Sequence, residues 1–376
     1  MRVLFLQRQP CIRTLKYAVA LRGSRPEITL GFAYQGSTLS RRYGSGDDLF
    51  AGWWQLPVAE PERALSAVVA EFRPDVIHSH NLPDALTVAA LDVVDGRIPV
   101  IHDCHDMQSL RATPYEDGLA DVVDDDPLGL ESAAVEGCAA LVAVSREMLD
   151  EIEARHALPE HVLLFGNYAL ARDLAPFPRI GRDPGPLRVV YQGSLSLNGG
   201  HYDLRDHFAA LAGAGLRVDV FPNRDAPGYR DLAERTPGLR IMDTLEPRAL
   251  LRALTGYDVG WAGFNAALNG PHLDTALPNK AFEYLASGLP IAAGPHRALR
   301  RIIEDHGVGV VVERPEDLPR AVERAGGLRA LREAAVARRR LFTVEAHIRG
   351  LVGLYAAVCG RAEASPAGAA TTEVAI

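Results

Sequence analysis

One lysine in a short segment stands where it could bind a diphosphate. The segment "ALPNKAFEYLASGLPIAAG", residues 276–294, contains Lys280, one of two lysines among 40 lysine and arginine residues. Pro278 is typical of the first turn of a helix and Gly288 of its end, so Lys280 falls in the first helical turn. The helix dipole disfavours a cation there by ~0.3–1 kcal/mol. A bound diphosphate would reverse this effect, because the exposed amides and the ammonium would both face negative oxygens.

Glu283 lies three residues after Lys280 and shares a helix face with it and with Asn279. A carboxylate one turn deeper than a phosphate site can accept two hydrogen bonds from a vicinal diol such as that of a ribose. The alternative is an ordinary surface pair of Lys280 and Glu283, which stabilises a helix by ~0.2–0.5 kcal/mol and binds nothing. On residue types alone, both interpretations stay open.

A second group combines four histidines and two aspartates at the ends of two predicted strands: His78, His80, His102, Asp103, His105 and Asp106. Alternate residues of a strand share one face, so His78 and His80 lie side by side. Such a cluster could hold a metal ion for hydrolysis, and a metallohydrolase is therefore one alternative. The second half of the chain offers further histidines only in unconvincing contexts. We expect His78 and His102 to be hydrogen-bonded core residues, and His80 and His105 to face an active-site cleft.

Composition limits the classes of function. The chain has 376 residues, 48% of them hydrophobic, and a net charge of −8, which fits two ordinary globular domains. The acidic balance argues against a nucleic-acid binder. No apolar run is long enough for a signal peptide or a membrane span, so we expect a cytoplasmic protein. The four cysteines form no CxxC pair, which indicates reduced thiols rather than disulfides or structural zinc.

Apolar strand patterns alternate with helical patterns along both halves of the chain. Strands are predicted at 2–7, 27–33, 75–80, 98–104, 140–144, 161–165, 187–192, 216–221, 239–242, 258–264, 290–294 and 308–313. Helices are predicted at 13–22, 61–72, 128–138, from 145, and at 203–213, 228–235, 247–255 and 279–287. This alternation predicts an α/β protein with parallel sheets covered on both faces. Ligands of such sheets bind at the carboxyl ends of the strands.

The alternation is interrupted once, which divides the chain into two predicted doubly wound domains. Residues 1–177 form the N-terminal domain, and "PRIGRDPGP" at 178–186 is an interdomain linker rich in proline and glycine. Residues 187–343 form the C-terminal domain. The helical segment 344–360 is expected to pack back on the N-terminal domain, and the small-residue tail 361–376 is expected to be disordered.

The quoted segments resemble a known family. "PNKAFEYLASGLPIAA" resembles the donor-nucleotide signature of GT-B glycosyltransferases, in particular the retaining, sugar-nucleotide-dependent group related to glycosyltransferase family 4. "RPDVIHSHN", "IPVIHDCHD", "LVAVSREM" and "VVYQGSLS" are similar to other strand ends of that family. The resemblance covers about residues 1 to 360, and its most specific part is 278–290. It implies two tandem Rossmann-like domains with a cleft between them.

The resemblance also implies roles for individual residues. Lys280 and the helix start at Pro278 and Asn279 would bind the donor diphosphate, Glu283 would bind the ribose, and His105 would face the donor sugar from the N-terminal domain. The remaining candidates follow strand ends of the two domains: His80 and Asp106 on the catalytic side, and Gly193, Ser194, Arg224, Asp243, Leu245 and Asn265 on the donor side. Gly193 and Ser194 would bring backbone amides to the phosphates, and residues 242–245 would lie near the base.

The chain departs from the family pattern at two places. The acidic residue that commonly contacts the donor sugar, eight positions before Glu283, is replaced by Thr275, with Asp274 beside it. The loop "GSLSLNGGH" lacks the usual basic residue, for which Arg224 is the candidate substitute. These departures favour a second hypothesis, a GT-B protein that binds a nucleotide sugar without transferring it.

The hypothesis that the sequence favours is a glycosyltransferase that needs no metal or other cofactor. Its partners would be a nucleoside diphosphate sugar, for example a UDP-sugar, and a small-molecule or glycan acceptor. Transfer would require the two domains to close, with the linker as hinge. The other notable segments are interpreted more simply: "DDDP" at 124–127 as a helix start, "ARRRLF" at 337–342 as an exposed face rather than a membrane contact, and Trp53 and Trp54 as either core packing or a sugar-stacking wall. Lys16, the other lysine, is assigned no role.

Overall fold

The computed structural model describes residues 1–8, 11–36, 48–113, 126–181 and 184–360, which form two compact units. The first unit contains the described residues up to 109, residues 126–166 and residues 344–360. The second contains residues 110–113 and the described residues between 167 and 343. Parts of the predicted segments 124–127 and 178–186, and the whole of 361–376, lie outside the described residues.

The first unit is built on a parallel sheet of seven strands. These are β1 (Arg2–Gln7), β2 (Thr29–Tyr34), β3 (Trp53–Gln55), β4 (Val76–His80), β5 (Val100–Cys104), β6 (Ala140–Ala143) and β7 (His161–Leu164). Their order is β3-β2-β1-β4-β5-β6-β7. The helices along this part of the chain are α1 (Ile12–Ser24), α2 (Glu62–Phe72), α3 (Ala85–Val94), α4 (Pro127–Gly137) and α5 (Arg146–Glu153).

The second unit is built on a parallel sheet of six strands. These are β8 (Arg188–Gly193), β9 (Arg217–Pro222), β10 (Leu239–Ile241), β11 (Val259–Trp261), β12 (Ile291–Ala293) and β13 (Gly309–Val311), in the order β10-β9-β8-β11-β12-β13. Its helices are α6 (Arg205–Gly213), α7 (Pro227–Arg235), α8 (Pro247–Leu254), α9 (Gly270–Thr275), α10 (Asn279–Ala286), α11 (Arg297–His306), α12 (Leu318–Arg324) and α13 (Gly327–Arg338). The last helix of the chain, α14 (Val344–Val358), belongs to the first unit.

Both sheets have the same physical basis. The central strands are buried along almost their whole length, as in β1 and β8, and they are rich in valine, leucine and isoleucine. A parallel strand that is covered on both faces needs such a continuous apolar run, whereas a strand with one solvated face alternates. In each sheet, successive strands are added first on one side of the first strand, β1 or β8, and then on its other side. This is the strand order of a doubly wound fold. The predicted fold class of two Rossmann-like sheets is therefore confirmed.

The chain leaves the first unit earlier than the predicted linker at 178–186. Residues 167–175 already belong to the second unit, because their polar groups are bonded there. The Asn167 side chain donates to the Leu277 carbonyl at 2.7 Å, and the Ala175 amide donates to the Ala286 carbonyl at 2.9 Å.

The chain returns to the first unit at α14. This helix packs against α1 and β7, and its Tyr355 hydroxyl lies 2.7 Å from Nδ1 of His78 on β4. Its inward side is apolar, with Ile348, Leu351 and Val352 buried. The hydrophobic face of α14 therefore completes the core of a unit that otherwise comes from the first half of the chain.

The two adjacent tryptophans form part of the edge strand β3. Trp53 stacks on Phe32 with ring centroids 5.2 Å apart, and Trp54 packs on Phe72 at 5.3 Å. Both contacts are with residues of the first unit, which favours the core-packing interpretation. No helix in the described part of the chain is both long and apolar enough to cross a membrane.

Candidate functional site

The second unit places Lys280 and Glu283 in the first turns of α10, with Pro278 immediately before the helix. Both side chains are buried, at 9% and 4% relative exposure. An exposed i,i+3 pair would leave both charges in water, so the surface-pair interpretation is wrong. The sequence pattern gives the position of the two charges correctly, but it does not indicate that they are buried.

The Lys280 amine is enclosed by aromatic side chains. Nζ lies 2.9 Å from the hydroxyl oxygen of Tyr191, at the end of β8, and 4.1 Å from the centroid of its ring. The ring centroids of Phe264 and Tyr202 lie 5.1 Å and 5.6 Å away. Cation–π attraction toward three rings stabilises the charged form of an amine that has lost most of its water.

Burial dominates the protonation of Lys280. It lowers the pKa of the amine to about 7, and the nearby Glu283 carboxylate only partly opposes this effect. A lysine with this pKa is divided between its charged and neutral forms near neutral pH. A ligand that carries negative charge would shift the amine to its charged form, which is the behaviour expected of an anion-binding group.

The loop after β8 approaches the amine closely. Gly193 has φ +131°, in the region that favours glycine, and a Cβ added there would lie 3.5 Å from Nζ of Lys280. The backbone therefore passes beside the amine with no side chain between them. The Ser194 hydroxyl accepts a hydrogen bond from the Asn223 side chain at 3.1 Å, and the Ser194 carbonyl accepts one from Tyr191 at 2.6 Å. Gly193 and Ser194 thus adjoin Lys280 and the start of α10.

Glu283 is held by the residue that follows Tyr191. Its Oε2 accepts a hydrogen bond from Nε2 of Gln192 at 2.5 Å. The backbone amide of Gln192 donates to the Tyr284 hydroxyl at 3.2 Å, and that hydroxyl donates to the Trp261 carbonyl at 3.1 Å. The end of β8 therefore holds Lys280 through one residue and Glu283 through the next.

The remaining donor-side candidates differ in how they are held. Asn265 is half-buried, and its side chain donates to the Asp203 carbonyl at 3.2 Å and accepts from the Ala267 amide at 3.0 Å. Arg224 and Asp243 are exposed, and Leu245 is half-buried. The assignment of these three as donor-binding residues stays a prediction.

Thr275, which replaces the expected acidic residue, is fully buried at the end of α9. Its hydroxyl donates to the His272 carbonyl at 2.8 Å. The neighbouring Asp274 accepts two hydrogen bonds from Arg297, one from its backbone amide and one from its guanidinium, both at 3.2 Å. The Asp274 carboxylate is therefore engaged with α11.

In the first unit, a buried ionic network lies beneath the ends of β4 and β5. Arg13 donates from Nε to both Asp103 carboxylate oxygens at 3.0 and 3.1 Å. The Tyr17 hydroxyl donates to Oδ2 at 3.0 Å, and Nε2 of His78 lies 3.3 Å from the same oxygen. Burial opposes ionisation of Asp103, but Arg13 and the adjacent histidines outweigh burial and hold its pKa well below its usual value.

This network decides how well the histidine cluster fits a metal ion. His78, His80 and Asp103 offer ligand atoms within 4.8 Å of one another. However, the Asp103 carboxylate already pairs with the permanent charge of Arg13. A metal ion bound to it would stand next to that guanidinium without water to screen the repulsion. The donor set therefore fits an internal salt bridge better than a metal centre.

His80 is fully buried, which corrects the expectation that its side chain faces a cleft. Its ring stacks on His78 with centroids 4.6 Å apart, and among the described residues neither ring nitrogen has a hydrogen-bond partner. Burial lowers its pKa well below the usual value, so the ring is neutral. The expectation fails because the His80 ring also packs near Phe5 and Tyr17, with centroids 5.8 and 5.9 Å away.

His105 and Asp106 follow β5 and are half-buried. Asn81 holds both: its Oδ1 accepts from the His105 amide at 3.1 Å, and its Nδ2 donates to the Asp106 carbonyl. Burial lowers the pKa of His105, with partial opposition from Asp103, so the imidazole is neutral near pH 7. Its ring centroid lies 6.4 Å from that of His80. Of the two histidines, His105 is the one with exposed area.

The last histidine of the group is a core residue. Nδ1 of His102 lies 3.0 Å from the Thr87 hydroxyl, and Nε2 lies 3.4 Å from Asp84. Burial lowers its pKa to about 4, so it is neutral at ordinary pH. This is the environment expected for a histidine that serves packing rather than chemistry.

Four residues that shape these sites are missing from the sequence-based candidates: Arg13, Asn81, Tyr191 and Gln192. All but Arg13 lie in or directly after a strand that was predicted correctly. Considering every polar residue at a strand end would identify these three. Arg13 has no such signal, because an arginine in the first turn of an amphipathic helix is usually exposed.

Part of the chain matches a known protein family. Residues 17–167 match the family described as glycosyl transferase 4-like domain. No curated protein sequence matches the chain. The match covers the part of the chain that carries "VIHSHN" and "VIHDCHD", the segments on which the N-terminal part of the resemblance depends.

Solved structures similar to this one cover nearly the whole chain. Sucrose-phosphate synthase from Thermosynechococcus elongatus is 13% identical, with a TM-score of 0.69 over 96% of this chain and 100% of that one. HepE from Anabaena, solved in complex with UDP, is 12% identical, with a TM-score of 0.66 over 95% and 100%. WaaG, a glycosyltransferase involved in lipopolysaccharide biosynthesis, is 13% identical, with a TM-score of 0.61 over 95% and 100%. These are GT-B proteins, so the predicted GT-B fold is confirmed.

The buried amine predicts how the stability of the ligand-free protein depends on pH. The pKa of Lys280 falls from ~10.5 in the unfolded chain to about 7, so the unfolded state binds more protons between these values. The resulting destabilisation is greatest below about pH 7 and disappears as pH rises toward 10. We expect Lys280→Met to raise the free energy of unfolding at about pH 6 and to change it much less at about pH 10, measured by urea denaturation.

The matched control is Arg329→Met, which removes a charge that is 83% exposed. Its effect on stability should be within about 0.5 kcal/mol at both pH values, as for most surface substitutions. A Lys280→Met variant that is less stable than the wild type at about pH 6 would contradict the assigned environment of the amine.

Proposed function

We propose that the chain, which has the GT-B fold and whose residues 17–167 match a glycosyl transferase 4-like domain, transfers a sugar from a nucleoside diphosphate sugar to an acceptor. The observation that carries this proposal is the burial of Lys280 at the start of α10, beside the side-chain-free turn at Gly193. A buried amine and a helix N-terminus aimed at one place form an anion site, and the glycine turn lets backbone amides reach the same anion.

The diphosphate occupies the space between the start of α10 and the loop at Gly193 and Ser194. Lys280 supplies a compact positive charge, and the first amides of α10 supply the positive end of the helix dipole. Negative charge grows on the diphosphate as the bond to the sugar breaks. These groups therefore stabilise the leaving group more strongly in the transition state than in the bound donor.

The nucleoside is held through its ribose. Glu283 lies one turn further along α10 than Lys280, and Gln192 orients its carboxylate. This spacing suits a ribose attached to the diphosphate, whose two hydroxyls donate to Glu283. We propose a uridine nucleotide, because the similar HepE was solved with UDP and with UDP-glucose.

The first unit supplies His105. Its imidazole is neutral and held at the end of β5 by Asn81. We assign it the role of orienting the donor sugar or stabilising its oxocarbenium-like charge, with Asp106 beside it and His80 packed behind it. Transfer proceeds with retention of the anomeric configuration, with a phosphate oxygen of the leaving group assisting deprotonation of the acceptor on the same face.

The second candidate function is binding of a nucleotide sugar without transfer. One observation favours it: Thr275 stands at the position of the expected acidic residue, and Asp274 is bonded to Arg297. Turnover separates the two functions. Release of UDP from a UDP-sugar, alone or with an acceptor, excludes the pure binder.

The first prediction concerns the diphosphate. UDP should raise the melting temperature of the wild type, since a ligand at 100 times its Kd stabilises by ~2.7 kcal/mol. Lys280→Met should weaken UDP binding ~10- to 100-fold at about pH 6.5, the loss expected for a hydrogen bond to a charged group. Calorimetric titration measures this change, and Arg329→Met is the control. Equal affinity in the Lys280→Met variant and the wild type would refute the assignment.

The second prediction concerns the ribose. UDP should bind more tightly than 2′-deoxy-UDP, which lacks one of the two hydroxyls that donate to Glu283. Glu283→Gln keeps the size of the side chain but removes its charge and one acceptor, so it should weaken UDP binding and reduce the preference for ribose. The quantity measured is the ratio of the two Kd values. A ratio that is the same in both proteins would place the ribose elsewhere.

The third prediction separates binding from chemistry. His105→Ala should lower turnover at least ~10²-fold, the low end for a positioned catalytic group, and leave UDP affinity nearly unchanged because UDP has no sugar. His102→Asn, at a buried histidine away from the proposed chemistry, controls for loss of folding. Normal turnover in His105→Ala would remove this residue from the site.

The fourth prediction concerns metal ions. Because Asp103 is paired with Arg13, we propose that the reaction proceeds without a divalent metal. Turnover should be the same before and after treatment with a chelator. Activity that is lost in chelator and restored by zinc or magnesium would support a metal-dependent reaction instead.

A further inference from the structure

We propose that Tyr191 is a positioning residue that holds the Lys280 amine beside the Gly193 and Ser194 loop, so that a cation is in place before the diphosphate arrives. The inference rests on the proposed function, because it concerns the same anion site. It adds a residue outside the sugar-nucleotide signature on α10, at the end of the strand that leads into the loop.

The hydroxyl of Tyr191 links the amine to the loop. It accepts a hydrogen bond from Nζ of Lys280 at 2.9 Å and donates one to the Ser194 carbonyl at 2.6 Å. Burial raises the pKa of this hydroxyl well above its usual value, so the group stays neutral and can make both bonds. The position of the amine and the conformation of the loop therefore depend on one oxygen atom.

The ring of Tyr191 has a separate effect. Its centroid lies 4.1 Å from Nζ, closer than those of Phe264 and Tyr202 at 5.1 and 5.6 Å. The Glu283 carboxylate on α10 acts on the amine through its charge, and the rings of Tyr191 and Tyr202 face it. His201 packs on Tyr202 with ring centroids 4.1 Å apart. The ring favours the ammonium through its face, and the hydroxyl favours it by accepting a hydrogen bond.

The geometry suits a binding role better than packing alone. A tyrosine that only filled the core would need no contact with a charged group, yet Tyr191 contacts the buried amine through both its ring and its oxygen. Beside both Nζ and the Tyr191 hydroxyl, Gly193 contributes no side chain, and an added Cβ would lie 3.5 Å from the amine and 3.6 Å from the hydroxyl oxygen. Tyr191 thus holds Lys280, while glycine leaves the space next to both groups open to the backbone and the ligand.

The variant Tyr191→Phe tests the hydroxyl while it keeps the ring. The chain has only two lysines, Lys16 and Lys280, so a protein labelled with ¹³C at the lysine ε-carbons gives two side-chain signals. Lys280→Arg assigns them. In the ligand-free wild type we expect the Lys280 signal to titrate near pH 7, and in Tyr191→Phe about one pH unit lower, because the ammonium loses an acceptor. The Lys16 signal should not move.

The same variant is then tested for binding. With a titration midpoint about one pH unit lower, fewer molecules carry the ammonium at high pH, so UDP affinity should fall about tenfold at pH 8 and less than twofold at pH 5.5. Tyr257→Phe is the control. It also removes a tyrosine hydroxyl of the second unit, in this case one that donates to the Asp219 carboxylate on β9 at 3.0 Å, and it should change neither the Lys280 midpoint nor the UDP affinity.

The outcomes distinguish this inference from the proposed function. If the wild type binds UDP but Tyr191→Phe shows the wild-type midpoint or the wild-type affinity at pH 8, Tyr191 does not position the amine and the function stands. If the wild type does not bind UDP at any pH, the proposed function fails and the positioning role fails with it. A loss of affinity that is equal at pH 5.5 and pH 8 would indicate structural damage, and it would also overturn the inference.

Discussion

The proposed binding site of the second unit depends on the burial of one amine at the positive end of a helix dipole. Two effects oppose a charge on Lys280 there, loss of water and the dipole of α10, and burial lowers its pKa to about 7. Three effects favour the charge: the Tyr191 hydroxyl, the surrounding rings and the nearby Glu283. The balance lies so close to neutral pH that a bound anion can decide it. This is the physical reason to regard the site as a binding site rather than a packing feature.

The end of β8 organises the groups around this amine. Tyr191 and Gln192 are consecutive, and they hold the two charged residues of α10. The chain then turns at Gly193, where the backbone passes beside Nζ. A parallel sheet brings its strand ends and the following helices to one edge, so a few residues of β8 and α10 can form a compact polar site above an apolar core.

The first unit also buries a charged group, the Asp103 carboxylate, but stabilises it in a different way. Asp103 is neutralised by Arg13 and by hydrogen bonds from its neighbours, so it stays ionised without water. An ion pair whose hydrogen bonds are already made within the protein has few groups left to bind a ligand. The residue with exposed area at this edge is His105, which lies after the strand rather than within it. The paired charges of Arg13 and Asp103 thus stabilise this edge of the sheet. His105 is the neighbouring residue that we propose for the chemistry.

The sequence predicts the fold well, because parallel strands that are buried on both faces leave a strong apolar signal. It also predicts the helix α10 with Lys280 and Glu283 in its first turns, because proline and glycine stand at informative positions at its two ends. It does not predict that Lys280 and Glu283 are buried, since burial depends on β8 and on aromatic residues far along the chain. For the same reason it does not show that His80 lies under its neighbours, or that Arg13 pairs with Asp103 across 90 residues.

The central claim is that Lys280 changes its protonation state when a diphosphate binds, and proton uptake measures this most directly. Calorimetric titration of UDP at about pH 8, repeated in buffers with different ionisation heats, gives the number of protons taken up. With a pKa of about 7 in the free protein, the account predicts uptake of about 0.9 proton in the wild type and almost none in Lys280→Met. Binding of UDP with the same proton uptake in both proteins would contradict it.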